Sequence, residues 1–137
     1  MDNWQFPQQD EVVMDLLEDM TDPEEVWVGS WYPEVDFDGA KAIVVRLPSN
    51  TVGVTRYGQV EILVDSPQRG RARQLATEIS DVLNDLPGKT VRGVLVDDVI
   101  EHAGPQVAEN VDKTLRTYTM VYSLGFRKQP LGGDFYG

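Results

Sequence analysis

The sequence contains no cysteine and a single histidine, His102, and its first 40 residues hold neither lysine nor arginine. Each absence excludes something. Without cysteine there are no disulfides and no thiolate metal sites, and such a chain fits synthesis in the cytosol. With one histidine, any metal site would have to draw its other ligands from carboxylates. Asp97, Asp98 and Glu101 lie near His102 in sequence, but strand alternation sends Asp97 and Asp98 to opposite faces. An ordinary exposed histidine is the simpler reading. No apolar run approaches the roughly 20 residues that a membrane-spanning helix requires. The opening Met1-Asp2-Asn3-Trp4-Gln5-Phe6-Pro7 has neither the basic region nor the apolar segment of a secretory signal.

Chemistry finds few places to sit. Neither a Gly-x-x-x-x-Gly-Lys nor a Gly-x-Gly-x-x-Gly phosphate loop occurs. Gly29-Ser30-Trp31 lacks the spacing of a Gly-x-Ser-x-Gly nucleophile elbow. The carboxylate pairs Asp36-Phe37-Asp38 and Asp97-Asp98 carry almost no specificity in so acidic a chain. The sequence therefore predicts a protein that is not an enzyme, with no catalytic residues, no cofactor and no metal.

What is present is a globular composition, 41% hydrophobic and 26% charged over 137 residues, of a length that suits one domain. The net charge of −11 is unevenly placed. Twelve acidic side chains, from Asp2 to Asp38, fall in residues 1–40, and the remaining 11 are matched by all 12 basic ones. Such a patch repels a phosphate backbone. It is either a solvated helix face with an acidic loop, or a surface, including Glu24 and Glu25, that meets a basic partner or keeps passing DNA from sticking. Arg69, Arg71 and Arg73 form the one basic cluster, in the first turns of a predicted helix, where cations are mildly unfavourable. They read as a solvated face, as a docking surface for an acidic neighbouring copy, or as a nucleic-acid patch. Complementary patches on one chain suit a head-to-tail contact, which closes into a ring when the rotation permits. Trp27, Trp31, Tyr32 and Phe37 gather in or beside a Pro/Gly-rich loop. They either pack beneath it or anchor an interface, where Trp and Tyr are over-represented.

Periodicity places the elements. Val12, Val13, Leu16, Leu17 and Met20 predict a helix over 10–20 with Asp10 as its N-cap, ended by Thr21-Asp22-Pro23. Strands are expected at 26–28, 41–47, 54–64, 91–100 and 114–126, the last apolar on the side of Tyr118, Met120, Tyr122, Leu124 and Phe126. Ser66-Pro67 reads as the start of a second helix, its apolar stripe running from Ala72 to Leu86 and Pro87-Gly88 stopping it. Residues 101–113 read as a long disordered or interacting loop. The expected architecture is α+β: a mainly antiparallel sheet of four to five strands, two helices on one face, the other left for a partner. The domain is expected over 9–127, between a flexible N-terminus (1–8) and a flexible tail (128–137).

The layout resembles a known family. An acidic N-terminal helix is followed by Trp27-Val28-Gly29-Ser30-Trp31-Tyr32-Pro33, a strand Thr55-Arg56-Tyr57-Gly58-Gln59-Val60-Glu61-Ile62-Leu63-Val64, and a helix with Arg71-x-Arg73-x-x-Ala76-x-x-Ile79. A Tyr-rich strand, Thr117-Tyr118-Thr119-Met120-Val121-Tyr122, closes the domain. Over residues 9–127 this is similar to the tail terminator and minor tail (minor capsid) proteins of long-tailed bacteriophages. It departs at Tyr57-Gly58, where those proteins carry proline. The resemblance implies a homo-oligomer, a hexameric ring that caps the tail tube, stops its polymerisation and joins tail to head. Its partners would be further copies of itself, the tail tube protein and head–tail connector proteins, with DNA only passing through the lumen. The protein would be assembled in the host cytoplasm and reside in the virion at the head–tail junction. A head–tail connector or head-completion protein is the nearest rival; an acidic inhibitor or DNA mimic is the rival of another class.

Overall fold

A computed structural model of the chain describes residues 4–34, 37–48, 54–68, 70–108 and 116–130. In chain order the elements are β1 (Trp4–Gln5), α1 (Gln9–Met20), β2 (Val26–Gly29), β3 (Ala40–Leu47), β4 (Arg56–Ser66), α2 (Arg71–Asn84), β5 (Thr90–Val91), β6 (Val94–Leu95), β7 (Asp98–Ala108), β8 (Arg116–Phe126) and β9 (Gln129–Pro130). Five strands form the main sheet in the order β2-β3-β4-β8-β7. Every pairing is antiparallel except β2 with β3, which run parallel. The expected α+β architecture is what the chain adopts.

Alternation decides which face is buried. Ala42 and Val44 on β3, Val60, Ile62 and Val64 on β4, and Met120, Tyr122 and Leu124 on β8 line the inner face. Against them α1 brings Val13 and Leu17, and α2 brings Leu75, Ile79 and Leu83, all fully buried. Each such side chain contributes roughly 1.5–3 kcal/mol by leaving water. Helix α1 covers the β2–β3–β4 half of the sheet and α2 the β4–β8–β7 half. A polar chain ties α2 to the strands beneath it. Ser80 Oγ and the Tyr122 hydroxyl lie 2.6 Å apart, and Tyr122 donates to Glu101 Oε1 at 3.0 Å. Asn84 donates to the same oxygen at 2.9 Å. The Asn84 and Tyr122 hydrogen bonds hold the Glu101 carboxyl below the ordinary glutamate range.

Four expectations are corrected in detail. Asp10 is not the N-cap of α1; Gln8 holds that position and makes no side-chain cap. Helix α2 begins at Arg71 rather than at Ser66-Pro67, because Gly70 takes a left-handed φ of 79° and breaks the run. The Ser66 hydroxyl instead accepts the Gln68 N–H at 3.1 Å, making a local turn. The strand expected over 91–100 is a tight hairpin, β5–β6, followed by β7. Arg92 (φ 47°) and Gly93 (φ 83°) form its turn, the two-residue geometry that matches strand twist. Finally, β7 runs through most of the segment expected as a loop, up to Ala108; residues 109–113 lie outside the described residues. Gly104-Pro105 is not a turn but part of an irregular edge, with register shifts between Glu101 and Gln106. An edge strand tolerates proline there because no ladder bond is lost.

The two segments expected as flexible termini also meet. Trp4 and Gln5 pair antiparallel with Pro130 and Gln129, and the Gln129 side chain bonds both the N–H and the carbonyl of Leu95. Gly58, where the sequence departs from the phage pattern, has a local reason to be glycine. A Cβ there would lie 2.5 Å from Cδ of Gln9, which packs over it from α1.

Candidate functional site

The acidic surface of the first 40 residues divides into carboxylates already answered and carboxylates left open. On α1, Asp15, Glu18 and Asp19 converge on one guanidinium, that of Arg92 at the hairpin turn, at 2.9, 3.2 and 2.8 Å. Three like charges near one another repel, and Arg92 is what makes the face tolerable. Its hydrogen bond lowers the Asp19 pKa. Asp15 is instead raised, because partial burial outweighs the attraction of Arg92 and its two acidic neighbours add to the rise. Asp10 pairs with Arg46 at 3.2 Å.

Glu24 and Glu25 are different. They sit on a turn fixed from within: Glu25 and Val26 donate their N–H groups to the Asp22 carbonyl, and Glu24 donates to Asp22 Oδ1, each at 2.9 Å. Both are exposed, and neither has an ion-pair partner among the described residues. The turn leads directly into β2, an edge strand, and borders an apolar groove of about 420 Å³ lined by Glu18, Thr21, Pro23, Val26, Trp27 and Val28.

The aromatic group splits by role. Trp27 packs beneath the loop, its indole N–H donating to the Trp31 carbonyl at 3.0 Å and its ring meeting Phe37 edge-on with centroids 6.4 Å apart. Trp31 presents its side chain outward, 75% exposed, and Tyr32 is 39% exposed. Burial and the neighbouring Asp65 carboxylate push the Tyr32 phenol up to about 12. Of the four, Trp31 is the one shaped like an interface anchor.

Of the basic cluster, Arg69 lies outside the described residues. Arg71 and Arg73 do not share a face, because two residues along a helix rotate the side chain by about 200°. Arg71 is half-buried and donates to Gln74 Oε1 at 3.4 Å, whereas Arg73 is exposed. His102 is exposed, and its Nε2 lies 2.6 Å from the Ser123 hydroxyl. Among the described residues no three His, Cys, Asp or Glu side chains gather as metal ligands would.

Sequence reasoning missed two things here. The Arg92 clamp joins residues more than 70 positions apart, and nothing local to Arg92-Gly93 announces it. It also missed that Arg46 and Arg56, which fall in two separate predicted strands, line one cleft in the fold.

No family model matches this chain, and no curated protein matches it. Among solved structures, a chain of a structure described as the virion of a native gene transfer agent (GTA) particle is similar to it. The two are 14% identical, the match covers 85% of each, and the TM-score is 0.51. At that identity the likeness is one of fold.

Proposed function

We propose that this chain is a structural virion protein, not an enzyme, and specifically a tail terminator: a hexameric ring that caps the tail tube, halts its polymerisation and joins the tail to the head. The observation that carries the reading is the fold likeness to a virion chain across 85% of both proteins. The surface features support it physically. A preformed acidic turn and an exposed tryptophan flank one edge of the sheet, while cationic groups lie elsewhere on the molecule. Unlike patches on one subunit make heterologous contacts, and these build rings or filaments rather than two-fold dimers. The open acidic charge suits a ring through which DNA passes without being held. Partners are then further copies, the tail tube protein and the head–tail connector.

A tag on this chain tests its location. In purified particles the label is expected at one place, the joint of tail and head. Label distributed along the tail, or absent from particles, overturns the reading.

A further inference from the structure

Around the N-terminus of α1 lies a cleft of about 560 Å³, bordered by Phe6, Gln9, Arg46, Pro48, Arg56 and Gly58, among others. Its chemistry is opposite to that of the chain as a whole. The Arg56 guanidinium carbon lies over the Phe6 ring, 4.1 Å from the centroid. A cation over an aromatic face is attracted by the ring, and its guanidinium N–H groups can still donate to an acceptor. Arg56 has no carboxylate partner among the described residues. Arg46 adds a second positive charge, held in place by Gln8 Oε1 at 2.6 Å and by Asp10. Because Gln8 is spent on Arg46, it leaves the first turn of α1 without a side-chain cap. The fourth component is Gln9. Only 8% exposed, it lies in the space that the missing Cβ of Gly58 leaves, and its Nε2 has no acceptor. A buried donor left unpaired costs about 1–3 kcal/mol, and Gln9 is one of the residues that line the cleft.

We infer that this cleft is a carboxylate receptor and that its occupant is the Glu24–Glu25 turn of a second copy. The proposal deepens the ring reading and rests on it. Charge complementarity selects the occupant, since that turn is held by its own hydrogen bonds, doubly acidic, exposed and without an ion-pair partner among the described residues. The turn of the same chain cannot reach. It precedes Val26, which pairs with Ala40 at the start of β3, whereas Arg46 lies near the end of that eight-residue strand. The span from Ala40 to Arg46 along β3 is about 20 Å. Donor and acceptor therefore sit at opposite ends of the sheet, which is the geometry of a head-to-tail contact. The proposal places the cationic half at this cleft, where a cation–π contact, charge and a buried unpaired donor meet, as an alternative to the start of α2.

Sedimentation velocity over a concentration series at low salt tests this, with thermal unfolding to verify that each variant folds. Arg56→Glu is expected to weaken self-association by about tenfold or more, the scale of close charge pairs. Glu24→Arg with Glu25→Arg should do the same, and joining all three changes should restore association. Undiminished association of Arg56→Glu, or no restoration in the triple variant, overturns the proposal. If Arg71→Glu with Arg73→Glu weakens association and Arg56→Glu does not, the receptor is wrong while the ring reading stands. A parent chain monomeric at every concentration overturns both the receptor and the self-assembly on which it rests. Parent protein that retains duplex DNA, with retention lost in Arg56→Glu and self-association unchanged, identifies phosphate as the ligand and likewise overturns the proposal.

Discussion

Replacing Gly39 with valine is expected to lower stability by on the order of 3 kcal/mol. A Cβ at this position would stand 2.2 Å from the Glu25 carbonyl oxygen and 2.8 Å from the Phe37 ring. The ring could yield; the carbonyl cannot. That oxygen accepts the Ala40 N–H at 3.1 Å, the first tie between β2 and β3, so making room means opening the parallel ladder over Val26–Gly29. Gly88 supplies the control. It has a φ of 83° and open space around its Cβ direction, so Gly88→Ala costs only the left-handed penalty, about 1–2 kcal/mol. Denaturant midpoints at equal slope separate the two. A Gly39→Val protein as stable as its parent contradicts the parallel pairing of β2 with the start of β3, and with it the placement of the Glu24–Glu25 turn.

For Trp31→Ala the expected loss is in assembly rather than in folding. The side chain is 75% exposed, and what it gives the fold is its backbone carbonyl, which the substitution keeps. Stability should stay within about 0.5 kcal/mol of the parent. Association, if Trp31 anchors the contact, should fall by about 2 kcal/mol or more per interface, roughly 30-fold. Trp27→Ala is the informative contrast, since it removes the indole hydrogen bond and the Phe37 contact and should destabilise the monomer. Unchanged association of a folded Trp31→Ala protein would remove this residue from the interface.

How far the sequence could be read depends on the range of the interactions involved. Val12, Val13 and Leu17 announce α1, and Leu75, Ile79 and Leu83 announce α2, because helix periodicity is local. Alternation along Val60-Glu61-Ile62 and Met120-Val121-Tyr122 likewise fixes which face of the sheet is buried. Boundaries set by single backbone angles were harder: Gly70 displaces the start of α2 from Ser66-Pro67, and Arg92-Gly93 makes a hairpin without the usual Asn-Gly signal. The edge strand β7 was hidden by Gly104-Pro105, which punctuates a loop in most contexts and an irregular edge in this one. Long-range polar partners were not legible at all. Asp15, Glu18 and Asp19 read as open charge until the hairpin brings Arg92 to them, and Arg56 became notable only when Phe6 and Gln9 came beside it.

Tail length bears most directly on the central proposal. With this chain omitted from assembly, electron microscopy is expected to show tails of uncontrolled length that fail to join heads, because nothing caps the tube. Free tails of normal length beside filled heads would contradict termination and place the protein at the connector instead. Unchanged virions would contradict a structural role at either joint.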